Sequence, residues 1–267
     1  MVAKSDLFDP QIHLLPLIFE FIVFIIILYL SKLIYTKYKE RKTIPTLFLA
    51  LALFSIALAP FIAFTGLFSW MILWIINGFN PTLSPDYYSI SMPIGFLFVI
   101  LYDIFLIFFT IHIFWDKNNK KAIPFIIVGI IIAILLFLPN NYYGVDPGPN
   151  DPPSIRAYTQ GVYFIYNLIV YIIVAIFAFR EAIRIEERVY KIGFECIAFA
   201  QLSNIIIFLS FLCDAIILLF NPASPGYSIF VIIAWIFAVI SSILVYLGFI
   251  LPDWFKKLIQ KGKLKTV

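Results

Sequence analysis

Seven stretches of the chain stay apolar for about the 20 residues that a helix needs to cross a bilayer, at 14–36, 45–77, 93–115, 122–139, 160–182, 195–220 and 228–251. Lipid offers backbone N–H and C=O groups no water, so such stretches must be helices that satisfy their own hydrogen bonds. The expected fold is all-α: a polytopic seven-transmembrane helix bundle in a single domain over 1–267, ending in a basic tail from 252 onward. Composition agrees. With 63% hydrophobic and 13% charged residues and a mean hydropathy of +1.02, the chain has too little polar residue to cover a water-facing surface. The lipid bilayer is its first expected partner. The second stretch is over-long and carries Pro60, which predicts a kink, or an extension past Gly66 lying along the interface with Trp70 and Trp74.

The basic residues alternate in side. Lys32, Lys37, Lys39, Arg41 and Lys42 end span one, Lys117, Lys120 and Lys121 follow span three, Arg180, Arg184, Arg188 and Lys191 follow span five, and five lysines lie in the tail. That puts 17 of the 19 basic residues on one side and leaves Lys4 and Arg156 on the other. The positive-inside rule then predicts a cell-membrane protein with its N-terminus outside and its C-terminus in the cytoplasm. Because this charge sits in short connections between apolar runs, the net charge of +4 carries no nucleic-acid signal. Arg180, Arg184 and Arg188 keep a spacing of four, which predicts that span five continues beyond the membrane as one helix. After Pro252, Trp254 and Phe255 can enter the interface while Lys256 and Lys257 face anionic headgroups.

A phrase recurs between spans. Phe79-Asn80-Pro81 runs on to Ser84-Pro85 and Tyr88-Ser89-Ile90, and Phe220-Asn221-Pro222 runs on to Ser224-Pro225 and Tyr227-Ser228-Ile229. A shift of 141 aligns Ile56 to Ala59 with Ile197 to Ala200, a shift of 139 aligns Trp115 and Lys117 with Trp254 and Lys256, and a shift of 147 aligns Glu20 with Asn167. These matches predict a parallel 3+1+3 internal repeat, with span four as the linker.

Ionisable groups inside spans are costly and mark candidate sites. Glu20, Asp103 and Asp214 are the three clear cases. Counted from the predicted outer ends, Glu20 and Asp214 lie ~9 Å deep and Asp103 ~15 Å deep. Tyr163 and Asn167 share a face on span five, and Tyr102 precedes Asp103. No Lys or Arg is expected at these depths. The carboxylates must therefore be hydrated, paired with a cation, hydrogen-bonded or protonated. Glu20, Asp103, Asp214, Asn167, Tyr163 and Tyr102 are the expected lining of an outward-facing pocket for a small polar ligand or cation; the plain alternative is that each carboxyl bonds two helices together. The proline-rich loop over 140–159 could be a binding loop or a stiff connector. His13 and His112 differ too much in depth to share a metal, and Cys196 and Cys213 stand 17 residues apart on one helix, too far to pair. No cofactor is implied. Tyr102-Asp103 lacks a Gly-x-Gly-Asp partner, and neither Gly-x-Ser-Gly nor His-Glu-x-x-His occurs, so no enzyme is expected.

The ending Tyr246-Leu247-Gly248-Phe249-Ile250-Leu251-Pro252-Asp253-Trp254-Phe255-Lys256-Lys257 resembles the end of the seven-helix sensor modules that precede histidine kinase domains in prokaryotes. This chain departs by carrying no kinase. The resemblance implies a receptor-like sensor that signals to a separate cytoplasmic partner, through Arg184 and Arg188 at the end of span five and through Trp254, Lys256 and Lys257 in the tail. The repeat instead resembles, in architecture alone, the parallel three-one-three transporters of the SWEET type, which leaves a small-molecule or cation/proton-coupled transporter as the alternative.

Overall fold

The computed structural model describes residues 7–83, 85–115, 118–143, 151–220 and 228–261, with the side chains of 88, 215 and 218–220 excepted. Residues 221–227 of the second copy of the loop phrase, 144–150 of the proline-rich loop, Lys117 and the last six tail residues lie outside the described residues. Among the described residues eight α-helices follow in order: α1 (Pro10–Arg41), α2 (Ile44–Ile76), α3 (Asp86–Phe114), α4 (Ile123–Leu136), α5 (Arg156–Arg184), α6 (Arg188–Phe220), α7 (Ile229–Ile250) and α8 (Asp253–Lys261). The first seven are long and apolar enough to cross a membrane, α4 together with the 3-10 turn Asn119–Ala122 before it. The chain is a multi-pass, all-α membrane protein.

Neighbour relations place the helices. α1 packs on α2, α2 on α3, α3 on α5, α5 on α6, α6 on α7, and α7 returns to α1. Six helices thus close a ring. α4 rests outside it against α3 and α5, and presents Ile127, Ile130, Ile131 and Ile134 outward. Isoleucine likewise faces out along α1 at Ile18, Ile22 and Ile25. These branched side chains suit lipid contact, whereas the helix contacts inside the ring use smaller groups such as Ala57, Ala198, Ala200 and Ala234, all fully buried.

One expectation, the continuity of span five, is corrected, and the start of the chain adds a buried cluster. α2 runs unbroken through Pro60 to Ile76, and Trp70 near its end is 2% exposed, packed against Phe8 and His13, with its Nε1 donating to the Thr82 carbonyl at 3.1 Å. His13 is buried beside it, stacked on Phe8. The segment before α1 folds back over α2 because two aromatic rings and a backbone bond from Phe8 to Thr82 hold it there. α5 and α6 are separate helices, since Ile185 turns extended (ψ 125) between Arg184 and Arg188. Spacing alone could not show this break.

Helices also outrun the apolar windows. α1 begins at Pro10 and α3 at Asp86, so Glu20 and Asp103 lie ten and seventeen residues inside their helices, or about 15 and 25 Å from those ends at ~1.5 Å per residue. Pro16 and Pro93 fall within the first two turns or so, where few backbone bonds are lost. In the loop before α5, Asn141 donates through Nδ2 to the carbonyls of Leu135 (2.9 Å), Leu136 (3.2 Å) and Leu138 (3.0 Å), and accepts from Thr159 Oγ1. One amide therefore bridges the end of α4 and the turn after it to the start of α5.

Candidate binding pocket

The ring encloses a cavity of about 240 Å³ to which all six helices contribute. Glu20 of α1, Tyr102 of α3, Tyr163 of α5 and Asp214 of α6 line it, as the sequence predicts. Asp103 and Asn167 do not. Both are fully buried behind the lining, where α3 meets α5. Asn167 donates to the Tyr163 carbonyl at 2.6 Å and accepts from the Tyr171 hydroxyl at 3.3 Å. The phenols of Tyr102, Tyr163, Tyr166 and Tyr171 lie near Asp103. Tyr171 approaches the carboxyl, but its hydroxyl is aimed at Asn167, and neither Asp103 oxygen has a partner in hydrogen-bond geometry among the described residues.

The carboxyls thus differ in kind. Asp214 Oδ1 accepts the Ser228 backbone N–H at 2.8 Å, while Ser228 Oγ caps Phe230 N–H, so Asp214 holds the start of α7. The helix-bonding alternative fits Asp214 well. Glu20 is 2% exposed, and its Oε2 is buried without a hydrogen-bond partner among the described residues. Trp235 Nε1, in the lining of the same pocket, is a buried donor in the same condition. Sequence reading passed over Trp235 because one tryptophan on an apolar helix has no polar companion to mark it.

The pocket reaches the surface at the end of the bundle where α1 begins. Arg156 and Gln160, both partly exposed, line it there. Arg156 sits over the Tyr143 ring at 5.3 Å; burial pushes the Tyr143 phenol up to about 12, so it stays neutral. Arg156 was legible in retrospect, as one of two basic residues on that side of the chain. Deeper, Asn204 donates to the Tyr102 hydroxyl at 2.8 Å and to Gln201 Oε1 at 3.1 Å, forming a polar floor. Below that floor the bundle is packed with rings. Phe109 meets Phe114 (6.2 Å) and Phe249 (5.6 Å), and Phe114 meets Phe194 (5.5 Å), joining α3, α6 and α7. At the same end the backbones of α6 and α7 touch at Gly193 and Gly248. Thr110 spends its hydroxyl on Leu106 of its own helix at 2.8 Å.

At the basic end, Arg184 pairs with Glu181 at 3.1 Å as α5 closes, Arg188 opens α6, and α8 packs on α6. Trp254 (58% exposed) and the Lys256 and Lys257 side chains lie on α8, with Ile259 buried beneath it. Trp115, which the sequence pairs with Trp254, instead has its ring packed on Phe177 at 4.8 Å and covered by Lys121.

An unpartnered buried carboxyl is a standing cost of about 1–3 kcal/mol or more. Asp103→Val is therefore expected to raise stability by about 1–3 kcal/mol, read as a higher unfolding midpoint in detergent. A fall of that size would mean that Asp103 bonds within the folded chain.

Fold and cavity together define a multi-pass membrane protein with a pocket inside its helix ring. No protein-family model, curated protein or solved structure matches the chain.

Proposed function

We propose that the chain is a receptor-like sensory protein whose pocket takes a small ligand from the side where α1 begins. What supports this reading is the distribution of the cavity's lining, from which we infer that it opens at one end. Polar groups line it from Gln160 down to Asn204, and the aromatic packing around Phe109 and Phe114 replaces them toward the basic end. A receptor needs such a pocket and a helix that can move, whereas a conduit needs polar lining throughout. The basic residues orient the pocket outward and the C-terminus to the cytoplasm of a cell membrane. The reading includes no catalytic step. The signal would leave through the basic end, where the α5–α6 break brings Arg184 and Arg188 to the surface and α8 offers Trp254, Lys256 and Lys257 to a cytoplasmic partner.

One observation favours transport as the second reading. The contacts α1–α2–α3 and α5–α6–α7 follow the same order, and α3–α5 answers α7–α1, the pattern expected of a parallel 3+1+3 repeat. Charge movement separates the two. Purified protein in liposomes on a solid-supported membrane, given proton, sodium and ammonium-compound jumps, is expected to show only a brief binding transient. A sustained current abolished by Glu20→Gln would replace the receptor with a transporter.

A further inference from the structure

We infer that the pocket binds a small organic cation, with its ammonium group at Glu20. This rests on the pocket reading above and names its ligand class. Glu20 presents a carboxyl that is 2% exposed, with one oxygen unpartnered, to a cavity whose walls are largely apolar. A carboxyl removed from water either keeps its proton or needs a counter-charge, and among the described residues no lysine lines this cavity. Among the described residues three ionisable side chains line it: Glu20, Asp214 and Arg156. With both carboxyls ionised they leave one negative charge, which one monovalent cation neutralises. Asp214 already accepts from Ser228, and Arg156 lies over Tyr143 at the partly exposed rim, so the carboxyl with an open oxygen for an ammonium group is Glu20.

The walls argue for an organic ion over an inorganic one. Phe96, Phe164, Phe208, Phe211 and Trp235 bring aromatic rings to the cavity, and ring faces attract ammonium groups. A hard divalent ion such as Ca²⁺ or Mg²⁺ wants six or more oxygens. Among the described residues no group of three His, Cys, Asp or Glu side chains could hold a metal. The cavity of about 240 Å³ has room for a small amine. Trp235 Nε1, a buried donor without a partner among the described residues, suits a hydroxyl or carbonyl elsewhere on it.

The test is calorimetric titration of the purified full-length protein with choline and with phenethylammonium. Each is compared with its neutral isostere, 3,3-dimethylbutan-1-ol and 2-phenylethanol. At least one cation is expected to bind saturably, with its neutral isostere at least about tenfold weaker. Glu20→Gln is expected to weaken the cation by a similar factor, while Glu40→Gln at the basic end leaves it unchanged. If Glu20→Gln does not yield monodisperse protein, the comparison of cation with isostere on the unaltered chain decides. Equal binding of cation and isostere, an unaffected Glu20→Gln, or no saturable binding of either cation overturns the inference. Ala63→Phe fills the cavity and separates the two failures. If it abolishes binding that ignores charge, the pocket stands and the cation falls; if it changes no binding, the pocket reading itself falls.

Discussion

Gly248→Leu is expected to cost at least about 3 kcal/mol of stability and to leave little folded protein at elevated temperature. A Cβ at Gly248 would stand 2.5 Å from the Gly193 carbonyl oxygen, 2.9 Å from Ile197 Cγ1 and 3.1 Å from Cys196 Cβ. The first of these is backbone and cannot swing away. The reverse contact is nearly as close, with a Cβ at Gly193 meeting the Gly248 carbonyl at 2.9 Å. α6 and α7 must therefore separate to admit any side chain. Even Gly248→Ala is expected to lose stability, because the clash exceeds the ~1 kcal/mol that alanine gains over glycine in helix propensity. Such direct backbone contact is how membrane helices gain dispersion energy where lipid supplies no hydrophobic drive. Unfolding midpoints in detergent check the series: wild type above Gly248→Ala above Gly248→Leu. The pocket would suffer too, since Asn204 and Asp214 stand on α6 and Trp235 on α7.

Trp70→Ala is expected to cost about 3–5 kcal/mol, the range for emptying a buried indole site. Among the described residues Trp70 is the largest fully buried side chain, and it holds three pieces of chain together. Its ring lies 5.7 Å from Phe8 before α1 and 4.8 Å from His13 within it, and its Nε1 bonds Thr82 in the α2–α3 connection. Trp70→Phe keeps most of the packing and removes the hydrogen bond. It is expected to cost far less than the alanine change, about 1 kcal/mol for the bond plus a small packing loss. Limited proteolysis before α1 adds a local readout: cleavage there should speed up in Trp70→Ala first. Equal losses in the two variants would place the stability in the bond instead of the rings.

Hydropathy made the seven spans legible, because lipid leaves the backbone one way to satisfy itself and that way needs length and apolarity alone. The pocket was half legible for the same reason. Glu20, Asp214, Tyr163 and Tyr102 stood out as polar groups in apolar helices, and all four line the cavity. Asp103 and Asn167 stood out equally but face the α3–α5 contact, since depth can be counted from sequence while rotation about a helix axis is set by its neighbours. What sequence missed depends on residues far apart in the chain. The Gly193–Gly248 crossing, the Asn141 clamp and the return of α7 to α1 each join segments that no local pattern relates. The break at Ile185 was hidden by arginines whose spacing of four continues across it.

The central claim is that the cavity opens at one end only. Its most direct test is sided labelling with a membrane-impermeant thiol reagent, on sealed vesicles of both orientations, in a Cys196→Ser, Cys213→Ser background. Gln160→Cys, Ala63→Cys and Ser242→Cys are expected to label from the side where α1 begins, most slowly for Ser242→Cys. Phe109→Cys is expected to stay unlabelled from both sides. Labelling of Ser242→Cys from the basic side would contradict a closed floor and turn the pocket into a passage.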